Sequence, residues 1–245
     1  MKTAIIIPAR MASKRFPNKP LAKINGIPMI ERVWQEGINS KIGDVFVACC
    51  ESDVFNFITS IGGKAIMTDP NLPSGTDRVF TAFNLLKNKD DYESIINLQG
   101  DMPLINSMTI QSVNIPLENG YDIGTIATDI SIDEEKNENI TKVSINWKKS
   151  DIVGDSIDFY KSSKKILTNI YQHVGIYSFK PTSLRRFVSL PPSKNEIDRK
   201  LEQLRAIDAG INIGITYVEN VPISVDTLED LMLIENILKN IDENK

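Results

Sequence analysis

Short apolar runs alternate with segments of helical periodicity in the first half of the chain. Residues 4–7 form a β-branched run, typical of a strand buried on both faces. Apolar positions recur at helical spacing over 29–34, after Pro28, a residue that suits a first helical turn. The same alternation predicts strands at 44–49, 65–67, 94–98 and 123–128, and helices from about 53, from about 76 and at 107–117. It indicates βαβ units and a parallel sheet.

The second half is less regular. The pattern predicts strands at 142–147, 169–179 and 213–218, and helices at 182–188, 196–209 and 227–238. Lysines and serines make 148–165 the weakest stretch for ordered structure, and the polar tail at 240–245 is predicted to fray. Because no linker or internal repeat divides the sequence, we expect one α/β domain over residues 1–245.

Composition narrows the functional classes. The chain has 245 residues, 41% of them hydrophobic, and a formal net charge of −4. This charge does not suit a broad nucleic-acid surface, and no apolar run approaches the length of a membrane span. The two cysteines, Cys49 and Cys50, are sequence neighbours and poorly placed for a disulfide. We expect a cytoplasmic protein that binds neither nucleic acid nor a membrane.

Positive charge is concentrated after the first predicted strand, at Arg10, Lys14, Arg15, Lys19 and Lys23. The loop after a strand of an open α/β sheet faces the crevice where ligands bind, so this segment is a candidate anion site. It has neither the glycine pattern of a dinucleotide fingerprint nor that of a P-loop. Side-chain charge would therefore share in holding a phosphate, and a solvated basic loop is an equally weighted alternative.

Two aspartates are candidate metal ligands. Asp101 follows an apolar strand in the segment Gln99-Gly100-Asp101, and Asp226 precedes a predicted helix. Mg²⁺ takes one or two protein carboxylates and completes its shell with water and substrate oxygens. Judged alone, Asp226 fits a helix cap better than a ligand, and Asp101 also fits a turn.

Two other segments carry candidate chemistry. Ser74 and Arg78 open a helix, where backbone N–H groups and a guanidinium suit an anion or a base edge, or where a serine simply caps the helix beside a surface arginine. The single histidine, His173, lies in a strand pattern and on its own suits a hydrogen-bonded structural role. No serine or cysteine has the motif of a covalent nucleophile.

Six segments together resemble the 3-deoxy-manno-octulosonate (Kdo) cytidylyltransferases, also called CMP-Kdo synthetases. The segments are Ile7–Leu21, Ser74–Arg78, Gln99–Asp101, His173–Tyr177, Leu201–Arg205 and Val225–Thr227. The resemblance implies Mg²⁺-dependent transfer of CMP from CTP to the anomeric hydroxyl of Kdo, with release of pyrophosphate, for lipopolysaccharide biosynthesis. It also implies a Rossmann-like nucleotide-diphospho-sugar transferase fold with a mostly parallel central sheet. A smaller mixed region at about 142–180 would form a homodimer.

The resemblance also assigns roles to residues. The catalytic residues it implies are Arg10, Lys19, Asp101 and Asp226, and the metal ligands are Asp101 and Asp226. The nucleotide-binding residues it implies are Arg10, Arg15, Lys19, Ser74, Arg78 and Gln99. The sugar-binding residues it implies are Gln99, Lys161, His173, Tyr177, Glu202 and Gln203.

The sequence departs from the family pattern at four places. Met102 follows Asp101 where the family often has a carboxylate. The family's Phe-Ser-Arg segment, whose arginine helps to bind the sugar acid, has no clean match, and the nearest stretch is Phe159-Tyr160-Lys161. Cys49-Cys50 replaces a threonine–aspartate pair, and Arg199 replaces an acidic residue. The departure at Lys161 leaves open another acid sugar, such as 8-amino-Kdo or a nonulosonate. A non-catalytic nucleotide-binding protein is a further alternative, although the two aspartates argue against it.

Overall fold

The structure, a computed structural model, describes residues 1–11, 16–147, 152–162, 169–219 and 223–243. The strands are β1 (Thr3–Pro8), β2 (Lys23–Ile24), β3 (Ile27–Pro28), β4 (Gly43–Cys49), β5 (Lys64–Met67), β6 (Ser94–Asn97), β7 (Ile123–Thr128), β8 (Lys142–Asn146), β9 (Val153–Tyr160), β10 (Ile170–Phe179) and β11 (Ile213–Tyr217). The helices are α1 (Met29–Asn39), α2 (Ser52–Ser60), α3 (Gly75–Asn84), α4 (Ser107–Ser112), α5 (Ile115–Glu118), α6 (Ile132–Lys136), α7 (Pro181–Ser189), α8 (Lys194–Arg199), α9 (Leu204–Asp208) and α10 (Leu228–Glu243). The fold is mixed α/β.

The chain divides into two compact units. Unit 1 comprises Met1–Tyr92, Asn97–Ile110 and Pro222–Lys245, and unit 2 comprises Glu93–Ile96 and Gln111–Val221. In unit 1, β4 lies between β5 and β1, and both pairings are parallel. The predicted parallel βαβ arrangement is confirmed here, since α1 connects β1 to β4 through the short β2–β3 hairpin and α2 connects β4 to β5.

A hydrophobic cluster in unit 1 joins segments that are far apart in sequence. Ile24 and Met29 pack with Val225, Leu231 and Ile234, all of them buried. Burying such side chains contributes about 1.5–3 kcal/mol each. The cluster therefore fixes the start of α10, and with it Asp226, beside the segment that follows β1.

The strands of unit 2 run in the order β6-β10-β7-β11-β9-β8, and β10 also pairs with β8. The β7–β11 pairing is parallel, whereas β8, β9 and β10 pair in antiparallel fashion with each other or with β7 and β11. The sheet is therefore mixed, and the predicted parallel pairing is found in unit 1 and at β7–β11. The strands within 142–180 pair with one another in antiparallel fashion, and the dimer role expected of this region stays a prediction.

Several predictions of local structure are wrong. The predicted helix at 107–117 is two helices, α4 and α5, because Pro116 lacks the N–H that an interior position needs and sits instead in the first turn of α5. The predicted helix at 196–209 is interrupted at Lys200, whose φ of 56° is left-handed. Within the stretch 148–165, residues 153–160 form the ordered strand β9, and 148–151 and 163–165 lie outside the described residues. Helix α10 continues past 240 to Glu243, and 244–245 lie outside the described residues.

Candidate functional site

A cavity of about 310 Å³ in unit 1 collects residues from four of the six motifs. It lies at the carboxyl end of β1, which is the end where ligands bind in open α/β sheets. Its lining comprises Pro8, Ala9, Arg10, Lys19, Pro20, Ile30, Leu72, Ser74, Gly75, Arg78, Gln99, Gly100, Asp101 and Asp226. Every predicted catalytic residue thus lines one cavity.

The segment after β1 is tied down at Met11. The Met11 N–H donates to Oε1 of Glu51 at 3.0 Å, and the Met11 carbonyl accepts the Asn18 N–H at 3.1 Å. Asn18 is left-handed, with φ of 59°, and directs the chain into the 3₁₀ turn Lys19–Leu21. These contacts position Arg10, two residues after the end of β1, and Lys19 at the cavity. The predicted nucleotide residue Arg15, and Lys14 beside it, lie outside the described residues.

Lys19 connects the two predicted metal ligands. Its ammonium donates to Oδ2 of Asp101 at 2.8 Å and lies 3.5 Å from Oδ1 of Asp226. It also donates to the Val225 carbonyl at 2.8 Å. The Val225 N–H in turn donates to the Asp101 carbonyl at 2.8 Å, which holds the two aspartate-bearing segments side by side.

The first turn of α10 shows that the side chain of Asp226 does not cap this helix. The Thr227 hydroxyl accepts the Asp230 N–H at 3.2 Å, and Oδ2 of Asp230 accepts the N–H groups of Asp226 and Thr227. Thr227 and Asp230 therefore cap the helix between them. This arrangement leaves the Asp226 carboxylate to face Lys19.

Ser74 and Arg78 have different local roles. Ser74, and not Thr76, is the N-cap of α3: its hydroxyl accepts the Asp77 N–H at 3.1 Å. The Arg78 guanidinium is buried and donates to the Thr68 hydroxyl at 2.5 Å and to the Asp69 carbonyl at 3.2 Å. Of the two alternatives for this segment, the one with a surface arginine is therefore wrong. Both side chains line the cavity.

Gly100 lets the strand-end segment approach β1 closely. A Cβ at this position would lie 3.2 Å from the Pro8 carbonyl oxygen and 3.2 Å from Cδ1 of Ile30. Gln99 donates from Nε2 to Oδ1 of Asn97 at 3.2 Å and also lines the cavity. Met102 is buried, so the family departure there adds an apolar side chain to the interior of unit 1.

Five of the six predicted sugar residues lie in unit 2, and two of these, His173 and Tyr177, have neighbouring rings. The His173 ring lies 5.5 Å from the Tyr177 ring and 4.9 Å from the Phe159 ring, and its Nε2 is 3.0 Å from the Thr125 hydroxyl. Burial lowers the pKa of His173 to about 3, and burial together with Glu202 raises the pKa of Tyr177. Both side chains are therefore neutral near pH 7. They can offer hydrogen bonds and no charge.

Glu202 and Gln203 lie in the break between α8 and α9. Gln203 is buried, and the Glu202 carboxylate lies 3.9 Å from the Arg205 guanidinium. Lys161 is exposed, and its backbone carbonyl accepts a hydrogen bond from the buried Lys142 ammonium at 2.8 Å. Within the described part of the chain, no hydrogen bond or ion pair joins the Lys161 side chain to His173, Tyr177 or Gln203.

An ion pair that was not predicted from the sequence joins α8 to α9 across this break. Arg205 forms a two-point ion pair with Glu196, at 2.8 and 2.5 Å, and its guanidinium lies 4.8 Å above the Phe187 ring. Glu196 also completes a capping box with Ser193, and the spacing of these two residues was the available signal. Arg199, the other family departure, pairs with Asp158 of β9 at 2.6 Å.

The donor set in the cavity suits a hard cation. No group of three or more His, Cys, Asp or Glu side chains able to hold a metal is present among the described residues, and the carboxylates that line the cavity are those of Asp101 and Asp226. Mg²⁺ commonly binds through one or two carboxylates and substrate phosphates. Asp101 and Asp226 already lie around a single positive charge, that of Lys19. The residues therefore fit Mg²⁺.

The comparisons with known proteins converge on one family. The family model described as cytidylyltransferase matches residues 4–213. A 3-deoxy-manno-octulosonate cytidylyltransferase of Paramagnetospirillum magneticum is 41% identical over 238 residues, which are 96% of this chain and 97% of the relative. One of Nitrobacter winogradskyi is 40% identical, over 97% of this chain and 94% of the relative.

A solved structure agrees with these relatives. The structure of CMP:2-keto-3-deoxy-manno-octonic acid synthetase complexed with CTP is similar with a TM-score of 0.89 and 31% identity, over 98% of this chain and 99% of that chain. Separately, none of the helices in the described ranges is long and apolar enough to cross a membrane.

Proposed function

Since this chain belongs to the cytidylyltransferase family, we propose that it transfers CMP from CTP to the anomeric hydroxyl of Kdo and releases pyrophosphate. The observation that carries the proposal is the convergence of Arg10, Lys19, Asp101 and Asp226 on one cavity. The relatives named as 3-deoxy-manno-octulosonate cytidylyltransferases match over nearly the whole chain and support the same activity. The similar solved structure was determined with CTP.

The chemistry joins two anions. The anomeric oxygen of the sugar forms a bond to the α-phosphorus of CTP, the bond from that phosphorus to the bridging oxygen of the β-phosphate breaks, and the hydroxyl proton passes to water. Negative charge accumulates on the phosphoryl oxygens and on the departing pyrophosphate, so positioning and cationic stabilisation dominate catalysis. Arg10 and Lys19 bind the triphosphate in this proposal, supported by their place in the cavity lining. Ser74 and Arg78, which line the same cavity, are proposed to bind the nucleotide.

Asp101 and Asp226 are the proposed ligands of Mg²⁺. When bound there, the ion supplies positive charge for the phosphate and sugar oxygens as a Lewis acid. The two aspartates would hold the ion in the cavity, to which Arg10 and Lys19 also contribute positive charge. The Lys19 ammonium contacts both carboxylates in this structure, so in the proposal it leaves them when it binds the triphosphate.

The sugar acid is proposed to contact Gln99, Lys161, His173, Tyr177, Glu202 and Gln203. A buried neutral imidazole and a partly buried phenol suit sugar hydroxyls, which both donate and accept hydrogen bonds. Lys161 is proposed to meet the sugar carboxylate as a point charge, without the two-point geometry of arginine. This departure is the reason to keep 8-amino-Kdo or a nonulosonate as the alternative sugar.

Three finer expectations belong to the same proposal. The fold is of the Rossmann-like nucleotide-diphospho-sugar transferase type and acts as one catalytic domain over 1–245. The protein is a homodimer that uses the region at about 142–180, supported by the exposed apolar side chains Ile152 and Ile157. Its product supplies lipopolysaccharide biosynthesis.

Pyrophosphate release in the presence of CTP and Mg²⁺ tests the proposal across sugars. Equal concentrations of Kdo, 8-amino-Kdo and a nonulosonate are supplied together, and the nucleotide-sugar products are separated by chromatography. CMP-Kdo as the main product supports the proposal, and a different main product reassigns the sugar. CTP binding by calorimetry with no product from any sugar would instead support a non-catalytic nucleotide-binding protein.

A further inference from the structure

The Lys19 ammonium has three oxygens of the protein within 3.5 Å, one for each of its N–H donors. A lysine ammonium has three N–H donors. Three oxygens surround it here, from Asp101 at 2.8 Å, the Val225 carbonyl at 2.8 Å and Asp226 at 3.5 Å. Its side chain is only 15% exposed, so water has little access to compete for these donors.

The same side chain is the proposed triphosphate ligand, and the same two carboxylates are the proposed metal ligands. The ammonium cannot donate fully to these protein oxygens and also to a triphosphate. A metal ion bound between Asp101 and Asp226 would likewise take the oxygens that Lys19 now contacts. The two sets of contacts are therefore alternatives.

We propose that Lys19 is an exchangeable occupant of the carboxylate pair, which holds Asp101 and Asp226 together in the free protein and leaves them when a divalent cation binds. This inference rests on the proposed function for the identity of the metal ligands. Two neighbouring carboxylates repel each other unless a cation lies between them, so the free protein gains from an internal positive charge. When Lys19 leaves, its charge becomes available to the triphosphate.

The surroundings confine the exchange to the side chain of Lys19. Its backbone is fixed between left-handed Asn18 and buried Pro20, in a 3₁₀ turn. Val225, which supplies the third oxygen, is buried in the hydrophobic cluster of unit 1. Only the four-carbon stem of the lysine is free to rotate, and lysine differs from arginine in being a flexible point charge.

Thermodynamic linkage gives the measurable consequence. A group that must leave a site before a ligand binds lowers the affinity for that ligand, and coupling of this kind is typically 5–150-fold. Removing the Lys19 charge should therefore raise the affinity of the free protein for a divalent cation. Substrates are not needed to observe the effect.

The first experiment titrates the full chain with Mn²⁺, without CTP or sugar, and measures free Mn²⁺ by electron paramagnetic resonance. We expect Lys19→Met to bind one Mn²⁺ about tenfold more tightly than wild type. Lys23→Met, at an exposed lysine of the adjacent strand β2, should match wild type, and Lys19→Met/Asp101→Asn should lose the gain. Affinity in Lys19→Met equal to or weaker than wild type would overturn the inference.

A second experiment uses only the wild-type protein, so it does not depend on whether the variant folds. Lysines are acetylated briefly with and without saturating Mn²⁺, and modification at Lys19 and Lys23 is quantified by mass spectrometry. We expect Mn²⁺ to raise the modification rate of Lys19 severalfold and to leave that of Lys23 unchanged. An unchanged rate at Lys19 would count against the exchange. If the wild-type protein forms CMP-Kdo and either experiment gives the negative result, the exchange alone is rejected. If the wild-type protein forms no CMP-Kdo, the proposed function is rejected, and the two experiments still test the exchange because neither needs substrates.

Discussion

The Met11 backbone N–H donates to Oε1 of Glu51 at 3.0 Å, and this bond ties the segment after β1 to the segment after β4. Met11 immediately follows Arg10, and its carbonyl accepts the N–H of Asn18, which precedes Lys19. A single carboxylate therefore steadies both ends of the segment that carries the proposed triphosphate ligands. Glu51 acts as a positioning residue.

Replacing Glu51 should weaken CTP binding more than it slows turnover. A hydrogen bond to a charged group contributes about 1.5–3 kcal/mol, so Glu51→Ala should raise the KM for CTP by about tenfold or more. Glu51→Gln retains a carbonyl acceptor and should recover most of the loss. Steady-state kinetics measure both variants, with Asp53→Asn, an exposed change in the first turn of α2 just after Glu51, as control. A KM for CTP in Glu51→Ala equal to that of wild type would refute the positioning role.

His173 should remain neutral throughout the working pH range. Its pKa in the folded protein is about 3 because of burial, whereas an unperturbed histidine titrates near 6.5. The chain contains one histidine, so its ring C–H signals in a proton NMR spectrum need no assignment. We expect no titration of these signals between pH 8 and pH 5, and a midpoint near 6.5 would contradict the buried environment.

The same shift makes stability depend on pH. Between about pH 3 and 6.5 the unfolded chain binds a proton at His173 that the folded protein does not. The free energy of unfolding should therefore fall as the pH is lowered through this window, by at most about 1.4 kcal/mol per pH unit from this group. The penalty is absent above pH 6.5. Urea unfolding of wild type and His173→Gln should show a shallower dependence in the variant, and parallel curves would exclude the effect.

Two arginine ion pairs of unit 2 should differ sharply in their contribution to stability. The side chains of Arg205 and Glu196 are 10% and 12% exposed, whereas those of Arg199 and Asp158 are 38% and 39% exposed. Breaking the buried pair with Arg205→Ala should cost about 3–5 kcal/mol, because Glu196 is left as a buried charge. Arg199→Ala should cost less than about 1 kcal/mol. Denaturant unfolding measures both, and similar losses would contradict the difference in burial.

The strands and helices of unit 1 were the most predictable part of the fold. Continuous apolar runs such as that of β1 and amphipathic stretches such as that of α1 carry a strong periodic signal, and the boundaries differ by only a residue or two. The strand β9 was missed because Gly154, Asp155, Ser156 and Asp158 favour turns. Pairing with β8 and β11 overrides that local preference.

The residues that line the cavity could be predicted from the sequence, but the contacts between them could not. The basic segment, Asp101 and Asp226 all stood out in the sequence, yet nothing in their spacing shows that Lys19 contacts both carboxylates across more than 80 positions. The same holds for Glu51, which acts through the backbone of Met11. Such contacts depend on how strands lie beside one another, and the periodicity of a single strand does not encode them.

Replacing Lys161 should weaken binding of the sugar and leave binding of the nucleotide unchanged. If its ammonium meets the sugar carboxylate, Lys161→Ala should raise the KM for Kdo about tenfold and leave the KM for CTP unchanged. Lys161→Arg restores the family residue and should keep or lower the KM for Kdo. Lys87→Ala, at an exposed lysine of unit 1, is the control. An unchanged KM for Kdo in Lys161→Ala would remove Lys161 from the sugar site.

The most direct measurement of the central claim is a phosphorus NMR time course of the wild-type protein with CTP, Kdo and Mg²⁺. We predict that the α-phosphate signal of CTP is replaced by the phosphodiester signal of CMP-Kdo, with one pyrophosphate released for each CMP-Kdo formed. Asp101→Asn and Asp226→Asn should each slow the reaction by at least about 100-fold, in keeping with the loss of electrostatic stabilisation. A CTP spectrum that stays unchanged with wild-type protein, or pyrophosphate released without CMP-Kdo, would contradict the account.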